Sequence, residues 1–272
     1  MSRGSKALLA VLGLAAVAGL ALFWWLRAPT EPAAVPAPAA PAAPASAPQA
    51  APDSAIAHPI EPPAVPGPLQ AGEIVAALTE LLGRKAVLSF FQVEDFPRRF
   101  VATVDNLGRA HAPAVLWPVN PMGGRFTVEE RDGATVIAAD NSSRYTPFVL
   151  LAETVDIRRA VDLYVRMYPL LQRTYEELGY PKRYFNDRLI AVIDQLLTTP
   201  VREEPLKLEL TDVKGPIPSE RPWVRYQYAD PELESLSAGQ KILLRVGPVN
   251  ARRLKAKLAE IRDELVRRGT KR

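Results

Sequence analysis

Beyond residue 70, apolar residues recur at helical spacing along most of the chain. In AGEIVAALTELLG the apolar positions 74, 75, 78, 81 and 82 share a face, and Gly83 suits a C-cap. VEDFPRRFVATVDNLG predicts a second helix, with Pro97 in its first turn and Asn106 or Gly108 at its end. Residues 110–124 hold three prolines and two glycines and predict irregular chain. Helices are expected again over Ser142–Ala152, about Asp156–Leu178 and Asn186–Leu197. Pro169 inside the second of these predicts a kink near Val165–Tyr168. In the third, Leu189, Ile190, Ile193, Leu196 and Leu197 face inward. Ser237 caps a short helix ended by Gly247-Pro248, and a last helix after Asn250 buries Leu254, Leu258, Ile261 and Leu265.

Elsewhere the period shortens to two. RFTVEERDGATVIAAD alternates Phe126 and Val128 with polar residues and turns at Arg131-Asp132-Gly133, a hairpin signature. LKLEL places Leu206, Leu208 and Leu210 on one face of a strand, and WVRYQY does the same with Val224, Tyr226 and Tyr228. The fold class is α+β: a predominantly helical globular domain with a few short antiparallel strands.

The N-terminal pattern differs. Ala7 to Leu26 is an unbroken run of twenty apolar residues, about 30 Å as a helix, one hydrocarbon thickness. It ends in Phe23, Trp24 and Trp25, suited to an interfacial belt, and Arg3 and Lys6 precede it. This predicts a cytoplasmic tail at 1–6 and an uncleaved transmembrane helix at 7–26. Everything after it is expected outside the inner membrane, in the periplasm if the cell is Gram-negative. Residues 27–68 hold thirteen of the chain's 27 prolines amid alanine. They predict a disordered, polyproline-like linker with a reach on the order of 130 Å, in which His58 is a solvated side chain. A globular domain is expected over 69–272.

Composition narrows the chemistry. The chain has no cysteine, which excludes disulfides, thiolate nucleophiles and sulfur-ligated metals. His58 and His111 are its two histidines, too few for the usual transition-metal site, so no metal is expected. No G-x-S-x-G or S-x-x-K motif accompanies His111, and no P-loop or dinucleotide fingerprint occurs; no cofactor is expected. The pI near 9.3 raises nucleic acid as a partner. The basicity is local, however: from Arg252 onward nine Lys or Arg face three acids. The corner at Gly179 also spans about seven residues, too long for a DNA-reading helix-turn-helix, so no nucleic acid is expected. The basic last helix suits anionic lipid or, more simply, an amphipathic helix with a cationic solvent face.

Three groups of acids are candidates for acid–base work: Glu176-Glu177, Asp187 with Asp194, and Asp230-Pro-Glu232-x-Glu234. Adjacent acids on a helix surface do not face each other. The densest polar patch is YEELGYPKRYFNDRL, residues 175–189. Capping accounts for much of it: Gly179 at C′, Tyr180 at C″, Pro181 as the stop, Asn186 as the next N-cap and Asp187 in a first turn. Lys182, Arg183, Tyr184 and Arg188 are left as a candidate contact surface, with Asp187 beside them. A second candidate is a polar pocket from SRYTPF and GQKILLRVGPVN, bringing together Arg144, Tyr145, Gln240, Lys241, Arg245 and Asn250. A half-buried Arg245 needs an anionic partner there, for which Asp187 and Asp230 are candidates.

The phrases RYTPFVLL, YPLLQRTYEELGYP, FNDRLIAVIDQLL and YADPELESLSAGQKILLRVGP, with the membrane–linker layout, resemble the bacterial domain-of-unknown-function family 3014. The resemblance covers about residues 70–265. It implies a single-pass proteobacterial membrane protein and supplies no activity, cofactor or catalytic residue. In layout alone the chain also resembles envelope proteins of the TonB kind, whose linkers carry Glu-Pro and Lys-Pro where this one carries Ala-Pro. The expected function is a tethered periplasmic interaction or scaffold domain for an envelope protein or polymer. The alternative is a periplasmic enzyme or small-ligand-binding domain using Asp, Arg and Tyr without metal.

Overall fold

The computed structural model describes residues 56–60, 66–211 and 224–270. The expected tail at 1–6, the membrane helix at 7–26 and the linker up to residue 55 lie outside the described residues. Among the described residues no helix is long and apolar enough to cross a membrane.

After a 3-10 turn at Ala71–Glu73, α1 (Ile74–Leu82) ends at Gly83, whose φ of 83° a residue with a Cβ rarely adopts. A second short helix, α2 (Arg84–Phe90), follows at once. α3 (Phe96–Leu107) carries Pro97 in its first turn, and Gly108 is its C-cap. A loop with a 3-10 turn at Ala114–Leu116 leads to β1 (Val128–Arg131) and β2 (Ala134–Ile137). Asp132 and Gly133 both have positive φ, as a type I′ hairpin turn requires. A 3-10 segment, Ala139–Arg144, precedes α4 (Thr146–Thr154), so the helix expected at 142–152 starts later. α5 (Ile157–Glu177) is capped by Asp156 and runs on through Pro169. Then come α6 (Phe185–Leu197), β3 (Leu208–Leu210), β4 (Tyr226–Tyr228), α7 (Pro231–Glu234), α8 (Ala238–Arg245) and α9 (Pro248–Thr270).

Among the described residues the fold is therefore mostly helical, with two antiparallel strand pairs, β1–β2 and β3–β4. A bridge from Val136 to Lys207 joins the pairs. The main core lies between α3, α5, α6 and α9, around the fully buried Val101, Leu171, Tyr175, Phe185 and Leu265. A smaller core of Leu208, Tyr228, Leu233 and Leu244 glues the strands to α7 and α8. Two strand expectations fail in part. Leu210 and Val224 are exposed: Leu210 ends β3, and Val224 precedes β4 and takes no part in the pairing, both beyond that small core.

α8 approaches α3 and α6 closely at Gly239. A Cβ there would lie 2.5 Å from Leu196 Cδ2 and 3.0 Å from the Leu107 carbonyl oxygen. Backbone cannot yield as a flexible side chain does, so overpacking follows. Gly239→Ala should lower stability by about 1–3 kcal/mol in urea denaturation. Gly72→Ala, with open space around it, should stay within about 0.5 kcal/mol.

Candidate functional site

The polar patch at 175–189 folds as a corner made in three steps. Gly179, at φ 102°, ends α5; its N–H donates to the Glu176 carbonyl, and Tyr180 stacks on Tyr175 at 4.5 Å. Next, the Arg183 N–H donates to the Tyr180 carbonyl at 3.1 Å, closing a turn with Pro181 second and Lys182 third. Lys182 has φ 82°, the type II pattern that ordinarily calls for glycine. α6 then starts at Phe185 with Tyr184 as N-cap.

Asn186 is not the N-cap the sequence suggests. It is wholly buried within the first turn, where an unpartnered amide is costly. Its Oδ1 accepts from the Tyr164 hydroxyl at 3.0 Å, and its Nδ2 donates to the His58 carbonyl at 2.8 Å. Side chains of α5 cap α6 instead: Gln172 Oε1 accepts the Phe185 N–H, and the Tyr168 hydroxyl accepts the Asn186 N–H. Tyr164, Tyr168 and Tyr184 form a ladder with ring centres 5.8 and 5.3 Å apart. Burial pushes the Tyr164 and Tyr168 hydroxyls far above the usual range, so both stay neutral donors.

The His58 carbonyl belongs to the segment expected to be disordered. Residues 56–60 instead lie along the corner, an exception to the linker expectation. The Ala57 and His58 N–H groups donate to the two Asp187 oxygens at 3.1 and 2.8 Å. The Ile60 N–H donates to the Tyr184 hydroxyl, which donates back to the Ile60 carbonyl. Ile60 is buried, and Gly269 of α9 comes so near that an added Cβ would sit 3.0 Å from the Pro59 carbonyl oxygen. The physical reason is an accounting one: Asn186 and Tyr184 offer main-chain partners, and Ile60 offers an apolar side chain. A signal existed in the sequence. In the Pro/Ala run, Pro59-Ile60 and Pro68-Leu69 are the prolines followed by a large aliphatic residue, and both aliphatics are buried.

This strap is held weakly. Three hydrogen bonds contribute about 1 kcal/mol each, the two to the Asp187 carboxylate about 2 kcal/mol each and Ile60 burial about 2 kcal/mol. Ordering five residues costs about 1.5 kcal/mol each, so the strap is favoured by only about 1.5 kcal/mol.

The rest of the patch has structural work. Asp105, unnoticed in the sequence and buried, gathers Arg188 (Nε at 3.0 Å), Arg109 (Nη2 at 2.8 Å) and the Tyr180 hydroxyl (3.1 Å). Burial next to Asp105 moves the Tyr175 hydroxyl up to about 12. Arg188 is thereby committed to α3, and the exposed tip is Lys182 and Arg183.

The second candidate pocket does not assemble as expected. Arg144 donates to the Gly123 and Gly124 carbonyls and to Asn141 Oδ1, and lies over the Tyr145 ring. Tyr145 is the N-cap residue of α4. Neither proposed carboxylate meets Arg245: Asp187 holds the strap, and Asp230 caps α7 by accepting the Glu232 N–H. Arg245 instead donates to the Tyr226 carbonyl at 3.2 Å and lies over the Tyr228 ring. Lys241 pairs with Glu234 at 2.8 Å. Burial works to raise the Glu234 carboxyl, but Lys241, the Tyr228 N–H and Arg245 outweigh it and hold it below the ordinary range. Arg245 and Asn250 do line an open cleft of about 430 Å³, with Ser142, Thr146, Arg202 and Glu203. Asn250 Nδ2 is already committed, donating to the Ser142 and Val246 carbonyls.

The cations of α9 are mostly engaged within the domain. Arg252 pairs with Glu203, Arg253 with Glu153, Arg262 with Asp194, and Arg268 with Asp162 and Glu264. Asp187 and Asp194 thus go to different partners.

A family model described as "Protein of unknown function (DUF3014)" matches residues 96–262. No curated protein and no solved structure matches the chain.

Two outcomes follow from this geometry. Lys182→Gly should raise stability by about 1 kcal/mol in thermal or urea unfolding, because glycine takes the positive φ freely. The depressed Glu234 carboxyl stabilises the fold above its unfolded pKa. That contribution is lost as pH falls through the folded value, below the ordinary 4.5. Lys241→Met should flatten this acid limb in urea titrations between pH 3 and 6.

Proposed function

The chain belongs to the DUF3014 family, and we propose that this member is a tethered interaction domain of the bacterial envelope. In this reading the apolar run at 7–26 anchors it in the inner membrane, and residues beyond the Pro/Ala tether stand in the periplasm. There the domain binds a protein partner. The apolar run is long enough to span a bilayer, and its flanking cations favour a cytoplasmic N-terminus.

One observation carries the choice of a binding role. The α5–α6 corner grips main-chain groups of a polypeptide segment that bends at Ala57 and His58, through Asp187, Tyr184 and Asn186. Recognition of backbone hydrogen-bonding groups with one buried side chain is how peptide-binding surfaces work. The polar residues that would serve an enzyme at Arg245 are spent elsewhere: Asp187 on the strap, Asp230 on a cap, Arg144 on loop carbonyls.

A photo-crosslinking residue in place of Lys182, at the exposed tip, tests this in intact cells. A discrete protein adduct is expected, diminished by Tyr184→Ala. Background labelling alone, from the tip and from control positions alike, would count against an interaction domain. Orientation is separable: a reporter fused after Arg272 should be active if it works only in the periplasm. Activity of a cytoplasm-only reporter would reverse the proposed topology.

A further inference from the structure

We infer that the groove between the Tyr164–Tyr168–Tyr184 ladder and the first turn of α6 is a peptide-binding site that the chain's own residues 56–60 close in cis. Its partner ligand is a short segment that can bend just before a proline followed by a branched aliphatic residue. This rests on the interaction reading above and gives it a site, a ligand chemistry and a gate.

The occupant already seated defines the chemistry. The groove uses the N–H groups of residues 57, 58 and 60 and the carbonyls of 58 and 60. It makes no demand on an N–H at position 59, where proline has none. A proline there also fixes φ beforehand, which lowers the cost of binding. Position 60 must be aliphatic, because its side chain is buried. The groove needs an occupant as well: with residues 56–60 gone, the Asn186 Nδ2 loses the His58 carbonyl.

The cis segment is well placed to be exchanged. Its contacts only slightly outweigh its ordering cost, enough to keep the groove mostly closed, so its advantage over a free peptide is mainly proximity. In sequence only residues 61–65 separate it from residues 66–69, where the Leu69 N–H donates to the Arg166 carbonyl. A connection that short gives an effective concentration on the order of millimolar. A partner peptide therefore binds when it is locally concentrated or when residues 56–60 are drawn away by the tether.

The test uses the full chain in detergent micelles and a fluorescent synthetic peptide of residues 53–61, Asp-Ser-Ala-Ile-Ala-His-Pro-Ile-Glu. Ile60→Asp in the chain should release the strap and tighten peptide binding at least tenfold over wild type, read by anisotropy. Adding Asp187→Ala and Tyr184→Phe to that chain should abolish the gain. Equal binding by Ile60→Asp and wild type, or a gain that survives the two groove changes, overturns the proposal. A wild-type dimer that exchanges residues 56–60 between copies also overturns it, since the gate would then act in trans. Hydrogen exchange on the unmodified chain guards against a misfolded variant. The Ala57, His58 and Ile60 amides should be protected, but far less than those of α5. Protection equal to α5, or none at all, would sink the gate. Failure here with a retained Lys182 crosslink would leave the interaction domain standing and move its contact surface elsewhere.

Discussion

Asn186 is a primary amide with no exposure, set in the first turn of a helix. Both ends of that side chain must find partners inside the protein. Tyr164 supplies one from α5, and the strap supplies the other through the His58 carbonyl. The main-chain N–H groups at the same helix start are met by Gln172 and Tyr168, again from α5. One requirement, that polar groups at the start of α6 be satisfied, thus fixes the register of α5 against α6. It also creates the surface that holds residues 56–60.

Charge is handled on the same principle away from the corner. Asp105 is buried but draws two arginines and a tyrosine, one of the arginines from α6. Such a pairing is costly to break on one side and ties α3 to the corner. Along α9, cations reach to Glu203, Glu153, Asp194 and Asp162. The basic surplus that dominates the C-terminal sequence is therefore largely met within the domain. This favours a packed amphipathic helix over a lipid-binding face. Such part-exposed pairs contribute little stability individually.

Local chemistry made much of this readable from the sequence. The type I′ turn at Asp132-Gly133, the Ser237 cap, Gly179 after α5 and Pro97 in α3 each satisfy a constraint within a few residues. Features with distant partners were hidden. The local turn at Lys182 was hidden for another reason: a lysine stands where glycine would have signalled a type II turn. Asn186 looks like a cap by residue type, yet its partners lie 22 and 128 positions away. Asp105 carries no sequence signature at all, since arginines 4 and 83 positions distant make it a hub.

By itself the sequence determined the mostly helical α+β class, the positions of most helices and hairpin residues, and the polar corner at 175–189. Hydrophobic period, caps and turn residues act locally, and each is written in consecutive residues. Only the tertiary structure decided what that corner does. Whether Tyr184 and Asp187 face solvent, a ligand or the chain's own residues 56–60 depends on contacts more than 120 positions apart in the chain. Such contacts leave no period behind. They follow from burial, because a buried amide and a buried isoleucine must each find partners wherever the chain brings them.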